Sequence, residues 1–188
     1  MLEIKTFYFN PYRECTYIVS RCKSDCECVV IDPGMYELSE EKRFFDYLSH
    51  NNLTPTAVLI THTHPDHICG LDRLENEYPD IKKYGCLYDM PLSSDNTVNE
   101  ANMEFSVILT PGHKEDSVCF YFKEDDVLFT GDTLFQESVG RTDLPGGDMA
   151  TLMDSLGKLI QLDDKTKVYP GHGYTTTIGY EKENNPFL

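Results

Sequence analysis

Apolar residues occur in short runs along the chain, and most of these runs have the length and composition of β-strands. Residues 3–9 alternate roughly between polar and apolar side chains, and residues 57–60 form a continuous apolar run. The acidic turn Glu124-Asp125-Asp126 separates two runs, which predicts that 118–122 pairs with 127–129. The predicted strands are residues 3–9, 17–19, 28–31, 57–60, 105–109, 118–122, 127–129 and 167–169.

Three segments have the features of helices that bury one face. They cover residues 39–50, 68–78 and 148–162, with Ser39 and Asp148 as the N-caps of the first and third. The side chains predicted to be buried on the first and third helices are Phe44, Phe45, Tyr47, Leu48, Leu152, Leu156, Leu159 and Ile160. Because no low-complexity segment or linker divides the chain, residues 1–188 are expected to form a single domain.

The charge balance limits the classes of partner. Sixteen Lys and Arg against 32 Asp and Glu give a net charge of −16, which argues against a nucleic-acid or anionic-membrane partner. No stretch approaches the roughly 20 apolar residues of a membrane helix. The N-terminal residues Met1 to Lys5 lack the basic and apolar regions of a signal peptide. A cytoplasmic location is therefore expected.

Seven cysteines are an odd number, and without an export signal they are predicted to be reduced thiols. Cys22, Cys26 and Cys28 are closely spaced. One interpretation is a zinc or redox site, and the other is a set of thiols flanking a strand turn. Three thiols without a fourth ligand nearby make a poor structural zinc site, so the second interpretation is favoured.

Four potential metal ligands follow the apolar run at 57–60 within six residues: His62, His64, Asp66 and His67. His62 and His64 are two positions apart, so at a strand end both side chains point to the same side. Pro65 ends the strand because it has no N–H for the sheet. The next two ligands then lie on the turn into the second predicted helix.

Three later segments repeat this arrangement, each with a glycine directly before a ligand: Gly112-His113, Gly131-Asp132 and Gly171-His172. Glycine lets the backbone turn tightly and approach other groups closely. Four strand ends therefore supply five of the six histidines, and His50 is interpreted as a surface residue at a helix end. This ligand set suits two ions about 3.5–4 Å apart. Zinc, iron and manganese all accept such ligands.

Together these residues resemble the motif set of the metallo-β-lactamase superfamily over essentially the whole chain. The resemblance implies an α+β fold, the αββα sandwich, in which two mixed β-sheets pack face to face with helices on the outer faces. It implies two divalent metal ions, with zinc the first choice. The first would be held by His62, His64 and His113, and the second by Asp66, His67 and His172, with Asp132 bridging. Asp66 and Asp132 would be the catalytic residues.

Within the superfamily, residues 131–135, 140–143 and 176–181 resemble the small glyoxalase II-like (hydroxyacylglutathione hydrolase-like) branch. The true β-lactamases of the superfamily lack an aspartate at the bridging position. Glyoxalase II hydrolyses S-D-lactoylglutathione to D-lactate and glutathione, so the resemblance implies a thioesterase acting on a small acyl thioester. Arg141 stands where glyoxalase II has a lysine after a glycine, and Tyr174 matches a tyrosine two residues past the last metal histidine. These two are the predicted substrate contacts, and an exposed loop charge is an equal alternative for Arg141.

Full-length glyoxalase II has an additional C-terminal helical region that completes its glutathione site, whereas this sequence ends soon after His172. The resemblance therefore leaves the thiol carrier open, and a lactone or other ester remains an alternative substrate. Persulfide dioxygenases are similar too, including a Gly-Arg-Thr-Asp segment like residues 140–143, and use one iron held by two histidines and an aspartate. A non-catalytic metal-binding protein is disfavoured, because structural sites are normally closed by four ligands. Nuclease members are disfavoured by the acidic charge.

Overall fold

Strands make up the centre of the molecule. The computed structural model describes residues 1–24, 26–88 and 97–188. In this part of the chain, five strands form a mixed sheet: β1 (Glu3–Phe9), β2 (Glu14–Ser20), β3 (Cys26–Ile31), β4 (Leu53–Leu59) and β5 (Lys82–Tyr84). Their order in space follows the chain. β2 pairs antiparallel with both β1 and β3, whereas β4 is parallel to β3 and β5 is parallel to β4.

A second mixed sheet has six strands among the described residues: β6 (Thr97–Glu100), β7 (Met103–Leu109), β8 (Val118–Phe122), β9 (Val127–Gly131), β12 (Lys167–Pro170) and β13 (Thr176–Thr177). Their order in space is β13-β12-β9-β8-β7-β6, and β12 is parallel to β9. A small ribbon, β10 (Leu134–Phe135) and β11 (Ser138–Val139), follows β9. The predicted pairing of 118–122 with 127–129 is confirmed, because Phe120 lies opposite Phe129.

The helices are α1 (Leu38–His50), α2 (Pro65–Ile68), α3 (Leu71–Glu77), α4 (Met149–Leu159) and α5 (Ile178–Asn184). Asp148 is the N-cap of α4, as predicted, and accepts a hydrogen bond from the Thr151 N–H at 2.7 Å. The Ser39 cap is wrong, because α1 begins at Leu38, after Glu37, whose N–H donates to the Glu40 carboxylate. Among the described residues, no helix combines the length and the apolar character needed to cross a membrane.

The predicted helix over 68–78 is interrupted. It divides into α2 and α3 at Cys69 and Gly70, where the Gly70 N–H donates to the Pro33 carbonyl at 2.8 Å and not to a carbonyl of the preceding helical turn. A β-carbon on Gly70 would lie 2.9 Å from the Met35 side chain, so the break packs directly on the loop after β3. The segment that carries the predicted ligands Asp66 and His67 is therefore followed directly by this contact with the loop after β3.

Apolar side chains form one layer between the sheets and one beneath each set of helices. The central layer includes Tyr17, Val29, Phe105, Phe120 and Phe129. One outer layer joins α1 and α3 to the first sheet, and the other joins α4 and α5 to the second. The αββα sandwich is therefore the fold of this chain. Of the apolar residues predicted to be buried on α1, Phe44 and Leu48 are buried, whereas Phe45 and Tyr47 are only partly so.

Cys22 and Cys26 are joined by a disulfide across the connection between β2 and β3, with Cα atoms 6.5 Å apart. The prediction of reduced thiols is therefore wrong for this pair, because the hairpin brings the two ends of the connection together. Cys28 is a free, buried thiol on β3. No cysteine belongs to a metal-ligand cluster in the described part of the chain.

Candidate metal centre

The predicted ligand segments meet at one edge of the sandwich, where several strands end. His62 and His64 follow β4, and Asp66 and His67 lie on α2. The other three predicted ligands lie beyond the ends of β7, β9 and β12: His113, Asp132 and His172. The predicted ligands thus lie on loops and a short helix at the strand ends, with the sheets beneath them as rigid support.

Three imidazoles form the first cluster. Nε2 of His62 and Nε2 of His113 lie 3.0 and 2.9 Å from Nδ1 of His64. The other nitrogen of His113, Nδ1, donates to the Arg141 carbonyl at 2.7 Å. Because a carbonyl oxygen can only accept, this bond leaves the His113 Nε2 available to a metal.

Thr61 fixes the tautomer of His62 in the same way. Its hydroxyl donates to the Asp32 carboxylate at 2.5 Å, so it can only accept from Nδ1 of His62 at 3.1 Å. Nε2 of His62 then faces His64 without a proton. One ring nitrogen from each of His62, His64 and His113 thus lies within 4.8 Å of the other two, close enough to hold one cation.

The second cluster contains Asp66, His67 and His172. Nε2 of His172 lies 3.3 Å from Oδ2 of Asp66, and Nε2 of His67 lies 3.8 Å from the same oxygen. Nδ1 of His172 donates to the Tyr12 carbonyl at 3.1 Å, and Nδ1 of His67 lies 2.9 Å from Asp32. Both imidazoles therefore present Nε2 to the Asp66 carboxylate.

Asp132 lies between the two clusters. Its Oδ1 is 3.4 Å from Nε2 of His67, and its Oδ2 is 3.6 Å from Nε2 of His113 and 3.7 Å from Nε2 of His172. Oδ1 of Asp132 and Nε2 of His67 are both buried and have no hydrogen-bond partner among the described residues. An unsatisfied buried polar atom lowers the stability of the fold by about 1–3 kcal/mol, so a cation bound between these two atoms would remove that cost. The residues present thus fit a divalent metal.

Burial and neighbouring charges set the protonation of these groups. Burial, together with the neighbouring imidazoles, lowers the pKa of His62 and His64, so both are neutral at pH 7. Burial alone would raise the pKa of Asp66, but the hydrogen bond with His172 lowers it to about 2. The charge of His67 lowers the pKa of Asp132 in spite of burial. Neutral imidazoles and ionised carboxylates are the forms that bind metals.

At two of the glycines that precede predicted ligands, a side chain would clash with neighbouring atoms or require an unfavourable backbone conformation. Gly131 has a φ of +49°, and a β-carbon there would lie 2.3 Å from Oγ1 of Thr61. A β-carbon on Gly171 would lie 2.3 Å from Oδ1 of Asp132 and 2.6 Å from Cε1 of His67. These glycines let the strands deliver their ligands without displacing the neighbouring ones.

Asp32 supports the site although it is not among the predicted ligands. It is buried at the end of β3 and accepts hydrogen bonds from the Thr61 N–H at 2.7 Å and from the Thr61 hydroxyl. It also holds Nδ1 of His67, so it supports both clusters. In the sequence, Asp32-Pro33-Gly34 follows a strand, as the segments with the predicted ligands do. The sequence does not predict a role in the site for Asp32, because Asp, Pro and Gly are common turn residues and a turn alone explains their presence.

A cleft of about 520 Å³ opens over the clusters. Its lining residues are Tyr12, His64, Pro65, Asp66, His113, Asp132, Arg141, Leu144 and His172. Arg141, one of the two predicted substrate contacts, therefore lies at the cleft. Tyr174, the other, is 77% exposed and is not among the lining residues, whereas Tyr12 lines the cleft without having been predicted to.

The family model of the metallo-beta-lactamase superfamily matches this chain over residues 14–101 and 91–172. The chain belongs to the metallo-β-lactamase superfamily. All seven predicted ligands lie within the matched residues. The superfamily and the His/Asp clusters together support binding of divalent metal by this chain.

Two relatives have names that describe them as hydrolases. "Probable metallo-hydrolase YqgX" of Bacillus subtilis (strain 168) is 35% identical, over 88% of this chain and 89% of the relative. "Hydroxyacylglutathione hydrolase" of Francisella tularensis subsp. novicida (strain U112) is 34% identical, over 92% of this chain and 68% of the relative. About a third of the second protein thus lies outside the match.

Solved structures with the same fold include two that resemble this chain over nearly its full length. The first is described as the BLEG-1 B3 metallo-beta-lactamase: it is 33% identical with a TM-score of 0.89, covering 99% of both chains. The second is TTHA1623 in a di-iron-bound form: it is 31% identical with a TM-score of 0.83, covering 98% of this chain and 100% of the other. A protein of this fold and similarity can therefore hold two irons.

Proposed function

We propose that this protein is a metal-dependent hydrolase that cleaves small acyl thioesters, with S-D-lactoylglutathione as the reference substrate. The observation that carries the proposal is the position of Asp132, which contacts both ligand clusters and has a buried, unpartnered Oδ1. The similarity to a hydroxyacylglutathione hydrolase over 92% of this chain supports the choice of thioesters.

The proposed ligands of the first metal are His62, His64 and His113, and those of the second are Asp66, His67 and His172. Asp132 would bind both. Ions held in this way act as Lewis acids and lower the pKa of bound water toward about 7. Zinc and iron both suit this donor set, and the di-iron relative makes iron as relevant as zinc.

The net reaction adds water to the thioester carbonyl carbon and breaks the carbon–sulfur bond. The acyl group leaves as a carboxylic acid that carries the water oxygen, and the carrier leaves as a thiol. A thiolate is a good leaving group, so no strong general acid is needed. Asp66 and Asp132 line the cleft as ionised carboxylates, where they orient the attacking water by accepting its hydrogens.

Arg141 is the proposed contact for the polar part of the substrate. Its backbone carbonyl is tied to His113, so the side chain begins at a defined place on the cleft wall. Tyr12, Pro65 and Leu144 supply the apolar part of the lining. A small acyl thioester offers matching groups: carbonyl acceptors for the arginine and methylene groups for the apolar residues.

The test follows free thiol release from S-D-lactoylglutathione and several other acyl thioesters, using protein of measured metal content. The same panel contains a lactone, a β-lactam and glutathione persulfide, and the metal-free protein is the control. Stoichiometric release of thiol and acid by the loaded protein alone is the expected result. Absence of thiol release from a two-metal preparation, with oxygen consumption on the persulfide by a one-iron preparation, would assign the protein to the dioxygenases. Hydrolysis of the β-lactam alone would assign it to the β-lactamases.

A further inference from the structure

The guanidinium of Arg141 already has an acidic partner. Nε donates to Oδ1 of Asp143 and a terminal nitrogen donates to Oδ2, both at 2.7 Å, in the paired geometry of an arginine–carboxylate fork. A guanidinium has five N–H donors. Two are committed to Asp143, which leaves three for a substrate, and the positive charge is compensated.

This pair is attached firmly to the site through the main chain. The Arg141 carbonyl accepts from Nδ1 of His113 at 2.7 Å. The preceding residue, Gly140, packs so closely that a β-carbon would lie 1.8 Å from the Asp132 carbonyl oxygen. The backbone that carries Arg141 therefore cannot move far without disturbing two ligands.

Among the described residues, the cleft has no second cationic side chain that could replace Arg141 as an anion contact. Within the described residues, its lining contains no other arginine and no lysine. Lys114, next to the ligand His113, donates to the Asp116 carboxylate at 2.9 Å. The chain as a whole carries a net charge of −16, which opposes the approach of anions.

We propose that Asp143 is a specificity-determining residue, which neutralises Arg141 so that the cleft favours acyl thioesters with an uncharged thiol carrier over those with an anionic carrier. The free N–H groups of Arg141 then donate to neutral carbonyl oxygens, as in an amide-containing carrier. This inference rests on the proposed function, because it assumes that the cleft receives thioesters. It goes beyond that function by stating the charge of the preferred carrier.

The decisive variant is Asp143→Asn, which keeps the shape of the side chain but leaves the arginine charge uncompensated. Asp164→Asn is a matched control. Asp164 also pairs with a basic residue, Lys182, and its side chain is 72% exposed, against 68% for Asp143. Both variants remove one negative charge, but only the first releases a cation at the cleft.

Binding is measured by calorimetry on metal-loaded protein with two non-hydrolysable thioethers that share one acyl-like group. One carries N-acetylcysteamine, which is neutral, and the other carries 3-mercaptopropionate, which is anionic. The unaltered protein should bind the neutral compound more tightly. Asp143→Asn should shift the ratio of the two Kd values toward the anion by roughly two- to fivefold, the range expected of an exposed charge pair. Asp164→Asn should leave the ratio unchanged.

A second variant tests whether the shift acts through Arg141. In the double variant Arg141→Gln/Asp143→Asn, the shift toward the anion should disappear, since no cation remains to be released. An unchanged Kd ratio in Asp143→Asn, an equal shift in Asp164→Asn, or a shift that persists in the double variant would each overturn the inference.

The lactoyl thioesters of the same two carriers separate this inference from the proposed function. If neither is hydrolysed but the Kd ratio shifts as expected, thioester hydrolysis is wrong and the charge preference stands. If both are hydrolysed and the Kd ratio does not respond to Asp143→Asn, the proposed function stands and the charge preference is wrong.

Discussion

The carboxylate of Asp32 lies 2.9 Å from Nδ1 of His67 and determines which nitrogen of that imidazole can bind a metal. An ionised carboxylate only accepts hydrogen bonds, so Nδ1 carries the proton and Nε2 is left to face Asp66 and Asp132. Partners of this kind fix the tautomer and orientation of metal-binding histidines. Asp32 thus acts on the site through His67 and not by direct contact with the cleft.

Replacing Asp32 by Asn should weaken metal binding without unfolding the protein. Asn tolerates the positive φ of +47° at this position, and its carbonyl can still accept from the Thr61 N–H. Its amide would donate toward His67, which moves the ring proton to Nε2. We expect metal affinity at both clusters to fall roughly 10–100-fold, measured by competition with a chelator, because the same carboxylate oxygen accepts from the Thr61 hydroxyl that fixes the tautomer of His62. Unchanged affinity for both ions would show that Asp32 does not set the tautomer.

Gly171→Ala should disturb the candidate metal site by placing a methyl group against Asp132 and His67. The added methyl group would lie 2.3 Å from Oδ1 of Asp132 and must displace either that carboxylate or His67. We expect reduced metal content and a destabilisation of about 1–3 kcal/mol, as for other overpacked positions. Elemental analysis and denaturant unfolding measure the two effects.

Gly157→Ala is the matched control for that substitution. Gly157 lies within α4, and a β-carbon there meets no atom within 4 Å among the described residues. Alanine in a helix interior should raise the free energy of unfolding by about 0.5–1 kcal/mol and leave the metal content unchanged. Equal loss of metal in both variants would mean that the close approach at Gly171 is unimportant.

The residues of the candidate site could be predicted because each stands in a local pattern. His62, His64, Asp66 and His67 follow a recognisable strand within six residues, and a glycine marks each of the other three positions. Asp32 and the Tyr12 carbonyl could not be found in this way. Their partners are 35 and 160 residues away, and a backbone carbonyl has no side-chain signature.

The elements missed in the sequence are mostly too short to show periodicity. β10, β11 and β13 have two residues each, and β5 has three, so pairing with neighbours defines them. α5 has seven residues, and its Glu181 is buried, where it accepts from the Thr176 hydroxyl and from Asn185. A buried acid removes the apolar pattern that identifies a helix. The break at Gly70 likewise depends on packing against Met35, which no local pattern records.

Asp132→Ala should lose far more metal and activity than His50→Ala. Asp132 contacts three imidazoles from both clusters, so its removal should lower the metal content and reduce turnover by more than the roughly 100-fold typical of an outer partner. His50 is exposed at the end of α1, where substitution should change stability by less than about 0.5 kcal/mol. Metal analysis and thioester turnover are compared in the two variants. Equal values would rule out a bridging role for Asp132.

Metal binding should depend on pH differently at the two clusters. Although burial opposes both shifts, the charge of Asp132 raises the pKa of His67, and the hydrogen bond with Asp66 raises the pKa of His172. These imidazoles hold their protons above the usual pH of about 6.5, so a metal must displace them. Affinity at the second cluster should therefore rise with pH until the raised pKa values are passed.

At the first cluster, burial and the neighbouring imidazoles lower the pKa of His62 and of His64, so these two imidazoles lose their protons at a lower pH than an ordinary histidine. As the pH falls from 8 to 6, the second metal equivalent should therefore weaken first, on the order of tenfold per pH unit for each displaced proton. Competition titrations with zinc at several pH values measure both equivalents, and an indicator dye in weak buffer counts the released protons. Parallel weakening of the two equivalents would contradict the assignment, since the two clusters would then compete with protons equally.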